Sequence, residues 1–156
     1  MASQDQKYHL SMSGEFYVAA ELQRRGLSAA VTYGNAKRAD VVAFSVSGER
    51  VVVVEVKSTS QTSWVVGGTV PPASKKPWVF VYFPKELNEA PSFYVLLQSE
   101  LHDILSPVAA NYRRRYKEKH GEEYGNRRGV ENLLRKQIEQ HKNAWGKIAN
   151  QLSPPT

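Results

Sequence analysis

The feature that most restricts the fold is a pair of apolar runs, 39–46 and 50–57, separated by the turn dipeptide Ser47-Gly48. Ser-Gly between two short apolar runs signals a β-hairpin. Val41, Val42, Ala43 and Phe44 stand against Val51, Val52, Val53 and Val54, so both faces of the hairpin are apolar. Such a pair belongs near the centre of a sheet covered on each side. If the loop is Ser47-Gly48 alone, Asp40 lies directly across from Glu55. Any loop of even length keeps Asp40, Glu55 and Lys57 on one face, because side chains alternate along a strand. A three-residue loop turns Asp40 to the other face.

The rest of the chain supplies partners for this hairpin. Ser11 or Ser13 is placed to cap a helix running to about Arg25, after a polar, frayed lead-in over 1–10. Its apolar face is Phe16, Ala19, Ala20 and Leu22, and Gly26 stops it. Further strands are expected over 28–33, 78–83 and 92–98. Between hairpin and fourth strand, 58–77 is rich in Ser, Thr, Gly, Pro and Lys, with Trp64 its one large ring before the next strand. That composition reads as a long loop, functional or disordered. After Gln98 the pattern turns helical: a short segment to Leu105, then a helix from Pro107, a favoured first-turn residue, to about Lys119. A polar break over 120–129 precedes a last helix from about Val130 to Leu152, with Val130, Leu134, Ile138, Trp145, Ile148 and Leu152 as its stripe. The expected fold is α/β, with a central mixed five-stranded sheet, one helix before it and two longer helices after it.

A chain of 156 residues fits one domain. With no cysteine it excludes a disulfide scaffold, a zinc–thiolate or iron–sulfur site and a Cys nucleophile. The longest apolar run is too short to cross a bilayer, and the polar start lacks a signal-peptide core, so no membrane partner and a cytoplasmic location are expected. The net charge of +6 is localised: between positions 111 and 147 eleven Lys/Arg face five acids, and the remainder balances. A localised basic excess suits a polyanion, and it also suits a solvated basic helix.

Two carboxylates across a strand pair have Cβ atoms about 5 Å apart and repel unless something positive lies between them. Lys57 is one such group. A hard divalent cation, Mg²⁺ or Mn²⁺, is a stronger one, since Mg²⁺ takes one or two carboxylates together with water and phosphate oxygens. Lys57 would then orient or deprotonate a water, or hold a scissile phosphate. Glu15 reaches the same site if the first helix packs across the Asp40 face. Spacing alone leaves two readings open, a metal site and a structural Glu55–Lys57 ion pair. Lys37 and Arg38, just before Asp40, are placed to approach a nucleic-acid backbone or to line a solvated turn. Arg113, Arg114 and Arg115 between Tyr112 and Tyr116 form a basic-aromatic patch suited to phosphate contact with ring stacking, or a solvated helix face. Arg127 and Arg128 add to the basic set. His9, His102, His120 and His141 form no metal pattern.

Taken in order, Gly14-Glu15, Val18-Ala19-Ala20-Glu21-Leu22, Arg25-Gly26, Thr32, Gly34-Asn35, Ala39-Asp40-Val41-Val42 and Glu55-Val56-Lys57 resemble the PD-(D/E)XK nuclease superfamily, in particular its small stand-alone, restriction-endonuclease-like and junction-resolvase-like members. The resemblance covers roughly residues 11–98. It implies a restriction-endonuclease-like core over 11–105, with 106–152 a basic helical extension of the same domain. By it Asp40, Glu55 and Lys57 match the acidic and lysine signature positions, and Glu15 matches the first-helix carboxylate. Ala39 stands where the motif name has proline. The implied activity is Mg²⁺- or Mn²⁺-dependent hydrolysis of DNA phosphodiesters, with Asp40, Glu55 and Glu15 as metal ligands and a homodimer for double-strand cutting. The alternative is a catalytically inactive nucleic-acid-binding or assembly module on the same fold. The stripe Leu134, Ile138, Trp145 and Ile148 offers a dimer contact.

Overall fold

The computed structural model describes residues 2–32 and 40–155. Helix α1 (Gln4–Arg24) leads into β1 (Ser28–Val31), β2 (Val41–Phe44), β3 (Val51–Thr59), β4 (Ser63–Gly67), β5 (Pro77–Tyr82) and β6 (Ser92–Leu97). Then come α2 (Gln98–His120), β7 (Glu131–Leu134), the 3-10 turns Arg135–Gln137 and Glu139–His141, and α3 (Gly146–Leu152). The central sheet is five-stranded and mixed, ordered β1-β2-β3-β5-β6, as the sequence leads one to expect; β4 and β7 form a separate ladder. Alternate residues of β5 and β6 feed opposite faces. Val79, Val81, Phe93 and Val95 pack with Val18 and Leu22 of α1 and with Trp145, Ile148 and Leu152. Trp78, Phe80, Tyr94 and Leu96 pack with Trp64, Leu101, Leu105 and Leu133.

The hairpin has the expected register, Val41 against Val54 and Phe44 against Val51. Its ladder closes with Ser45 N–H donating to the Arg50 carbonyl at 2.9 Å, so the loop has four residues, an even number. Gly48 takes φ +75° there, a left-handed conformation that favours glycine. Only one face of this hairpin is deeply covered, contrary to expectation. Val51 is 53% exposed, because the second core takes side chains from β5 and β6 and none from β2 or β3.

β3 changes partner along its length. It pairs antiparallel with β2 up to Val54 and parallel with β5 from Glu55 to Thr59. Beyond the start of β2, the edge of β3 that faced it has no strand partner among the described residues. This fork in the sheet positions the candidate site.

Four expectations are corrected. Residues 4–10 are helix, not a lead-in: Ser3 Oγ accepts from Gln6 N–H at 3.1 Å and Gln6 Oε1 from Ser3 N–H at 2.8 Å, a capping box that starts α1 two turns earlier. Its buried face is Gly14, Glu15, Val18 and Leu22, while Phe16 is 48% exposed. The stretch 58–77 contains β4, whose Trp64 is buried and donates Nε1–H to the Val81 carbonyl at 3.0 Å. α2 runs unbroken through Pro107, which is exposed, so the carbonyl its ring leaves without a donor can take water. Finally, 130–152 is no long helix: 131–134 pairs with β4, and Ile138, Trp145 and Ile148 lie in the interior, so they cannot form an exposed dimer stripe.

A partly buried polar cluster joins α2, β6 and α3. Lys147 Nζ reaches Glu100 Oε2 at 2.8 Å, His141 Nδ1 at 2.8 Å and the Val95 carbonyl at 2.9 Å. Among the described residues, no helix is long and apolar enough to cross a membrane.

Candidate functional site

The fork in the sheet opens a cleft of about 240 Å³ lined by Asp40, Glu55, Val56, Lys57 and Ser58, with Lys7, Leu10 and Ser11 of α1 across from them. Asp40 stands one residue before the last rung of the β2–β3 pairing, Val41 against Val54, and its N–H donates to the Val54 carbonyl at 3.3 Å. Its Oδ2 accepts the Val56 N–H at 2.8 Å, so the carboxylate takes a main-chain donor that a longer β2 would otherwise have used. Burial holds the Asp40 carboxyl above its ordinary range; the Val56 N–H opposes that rise and the charge of Glu55 adds to it.

Glu15 is brought to this end by an unusually close helix–strand approach. A Cβ on Gly14 would lie 1.8 Å from Ser58 Oγ and 3.2 Å from Ser58 Cβ, so only glycine lets α1 sit this low on β3. Ser58 Oγ is buried beneath it, with no hydrogen-bond partner among the described residues. The next residue, Glu15, is consequently 8% exposed. Its pKa rises from 4.5 to about 7, through burial first and then the charges of Asp40 and Glu55. A buried acid with two more acids near it is poised to lose its proton when a cation arrives.

Glu55 is held by two lysines. Lys76 Nζ donates to Oε2 at 2.9 Å, and Lys57 Nζ lies 3.8 Å from Oε1. Both ammonium groups sit over the ring of Trp78, at 6.0 and 5.9 Å from its centroid. Among the described residues no three His, Asp or Glu side chains converge as a ready-made metal cage. The structure therefore brings Asp40, Glu55 and Lys57 into one cleft and Glu15 within electrostatic reach, with Glu55 turned to lysines. Of the two readings left open by spacing, the Glu55–Lys57 ion pair is present, and Lys76 adds a second lysine to it.

The fold is similar to that of a bacterial homing endonuclease. The TM-score is 0.52 at 16% identity, covering 98% of this chain and 100% of that chain. The likeness is one of fold. No protein-family model and no curated protein matches the sequence.

The other basic candidates divide. Lys37 and Arg38 lie outside the described residues. Arg113 donates to the Gly125 carbonyl at 3.0 Å and stacks over Tyr124. Arg114 pairs with Glu118 at 2.7 Å, and Arg127 pairs with Glu122 at 2.9 Å and covers Tyr116. Arg115 and Arg128 are exposed. Lys76 is the site residue that the sequence reading missed. A lysine ahead of a strand carries no local signal, and only the parallel register that sets Trp78 against Glu55 places it here.

Proposed function

We propose that this chain is a metal-dependent DNA endonuclease of the PD-(D/E)XK type, hydrolysing phosphodiesters at the fork of its sheet. What carries the reading is the convergence of Asp40, Glu55 and Lys57 on one cleft, with Glu15 buried beside them and its proton retained near neutral pH. The donor set fits a hard divalent cation such as Mg²⁺ or Mn²⁺. It offers two carboxylate oxygen donors at a solvent-open cleft and a third acid near them, with room for water and phosphate oxygens. Asp40 and Glu55 would hold the ion, and Glu15 would add a ligand, direct or through water. When bound, the ion supplies a lowered water pKa and neutralises charge developing on the phosphate.

The chain's own groups do the remainder. Lys57, one-third exposed and 3.8 Å from Glu55, presents an ammonium at the mouth of the cleft, where it orients the attacking water or holds the phosphate. Val56 N–H holds the Asp40 carboxylate in place through Oδ2. The exposed Arg115 and Arg128, together with Arg113, Arg114, Arg127, Lys37 and Arg38, would contribute salt-sensitive contacts to the DNA backbone. The likeness to a homing endonuclease supports this reading at the level of scaffold. A homodimer belongs to the same reading, since cutting both strands takes two such centres; its contact lies elsewhere than the interior residues Ile138, Trp145 and Ile148.

Asp40→Asn and Lys57→Ala should each abolish Mg²⁺-dependent nicking of a plasmid while circular dichroism shows an intact fold. Cleavage by these variants equal to wild type would rule the reading out. The second reading, a nucleic-acid-binding or assembly module that does not cleave, draws on the Lys76–Glu55 contact, which already answers one of the acids. Calorimetric titration with Mn²⁺ separates the two, because a pure binding module shows no carboxylate-dependent uptake.

A further inference from the structure

Lys76 is held more firmly than a loop residue needs to be. Its carbonyl accepts Gln98 N–H at 2.8 Å, and its N–H donates to Ser74 Oγ at 3.2 Å. The segment before it is tied down from three directions. Gln98 Nε2 donates to the Pro72 carbonyl at 2.7 Å, His102 Nδ1 meets the Pro71 carbonyl at 2.9 Å, and Gln151 Nε2 donates to the Lys75 carbonyl at 2.7 Å. Beneath the ammonium, Trp78 is fixed by its own bond from Nε1 to Gln98 Oε1 at 3.0 Å. This anchoring sets Lys76 Nζ on Glu55 Oε2 at 2.9 Å. The lysine from β3 itself stands farther off, at 3.8 Å from the other oxygen.

Glu55 is one of the carboxylates that would hold a divalent cation. An ammonium and a metal ion cannot both sit at hydrogen-bond distance on the same side of one carboxylate oxygen without strong repulsion. We propose that Lys76 is a built-in counter-ion that occupies Glu55 until a divalent cation displaces it, a positioning residue that sets the site's metal affinity. The inference rests on the endonuclease reading. It assigns to the segment 68–76 a role in that site, the holding of a competing charge, and it has a sign opposite to that of an ordinary supporting contact. Removing a supporting residue weakens metal binding, whereas removing a competitor strengthens it. By linkage, whatever Lys76 gains from Glu55 the ion must overcome, and the ion in turn must loosen Lys76.

The test is calorimetric titration of the full chain with Mn²⁺ in the absence of DNA. Lys76→Met is expected to tighten Mn²⁺ binding by about fivefold or more, the range of an intramolecular coupling of this kind. Lys76→Arg, which keeps the charge, should stay near wild type. Lys75→Met, which removes the same charge one residue away, should change the affinity by no more than about twofold. Unchanged or weaker binding in Lys76→Met overturns the proposal, as does an equal tightening in Lys75→Met, which would assign the effect to net charge alone. Should Lys76→Met fail to fold, Lys76→Gln carries the same expectation. A second readout needs no variant: Mn²⁺ should raise the rate at which an amine-reactive reagent modifies Lys76, measured by peptide mass spectrometry, and an unchanged rate counts against displacement. Wild type that takes up no Mn²⁺ overturns the endonuclease reading itself. Uptake that is lost in Asp40→Asn but unaltered in Lys76→Met overturns this inference alone.

Discussion

The cleft at the fork of the sheet and the exposed end of α2 with the turn that follows it are both crowded with charge, and they use it in opposite ways. Along α2 and the turn after it several charges are cheaply answered: Arg114 by Glu118, Lys117 by Glu123, Arg127 by Glu122, all exposed. Exposed pairs of this kind contribute about 0–1 kcal/mol and are screened by salt. In the cleft the charges are fewer and partly buried. Glu15 and Asp40 both have raised pKa values, through burial first, although Lys57 and Lys76 pull Asp40 the other way. Charge density read along a sequence therefore points to the less demanding region. Burial, which the sequence does not display directly, marks the one where chemistry is expected.

Neutralising one acid in each region gives the sharpest contrast. Asp40→Asn is expected to lower cleavage by more than about 10²-fold, the scale of losing one group that stabilises a transition state, whereas Glu118→Gln should leave the rate unchanged. Equal rates for the two would remove the distinction. Gly14→Ala probes the packing that sets the cleft. With Ser58 Oγ only 1.8 Å from the new Cβ, it is expected to cost about 1–3 kcal/mol in urea unfolding, and less in a Ser58→Ala background.

The Glu100–His141–Lys147 cluster tests an intermediate case, partly buried yet fully answered. Burial first, then Lys147, holds the His141 pKa below 6.5, with Glu100 opposing. A folded-state value below the unfolded one means that, as pH falls through about 6.5, the unfolded chain binds the proton first and stability is lost. Denaturation midpoints between pH 8 and 5 should fall more steeply for wild type than for His141→Gln, and parallel curves would sink the assignment. The smallest effects belong to α2. Arg115→Ala or Arg128→Ala should lower the salt slope of DNA binding by about one each, and Glu118→Gln should change stability by less than about 0.5 kcal/mol.

Much of this was legible because it follows from local rules. The Ser47-Gly48 turn and the period-two alternation place Asp40 opposite Glu55, and the four-residue loop preserves that parity. The early start of α1 was also readable, since Ser3 and Gln6 stand three apart as a capping box requires. What was not legible depends on partners distant in sequence. Ser63–Gly67 becomes a strand only because 131–134 returns to pair with it, and a chance spacing of Val130, Leu134 and Ile138 imitates a helix. Lys76 enters the site through a parallel register that no pattern near it announces.

The break in pairing along β3 has one more consequence. A strand edge left bare of its neighbour is an invitation to any extended segment from another molecule, and compact proteins shield such edges. Among the described residues Asp40 shields this one, its carboxylate occupying the Val56 amide where a foreign backbone would dock. One side chain thus serves as reagent and as stopper. Losing it to alanine would trade a silent protein for a sticky one, and asparagine, which can still cap that amide, keeps the two jobs apart.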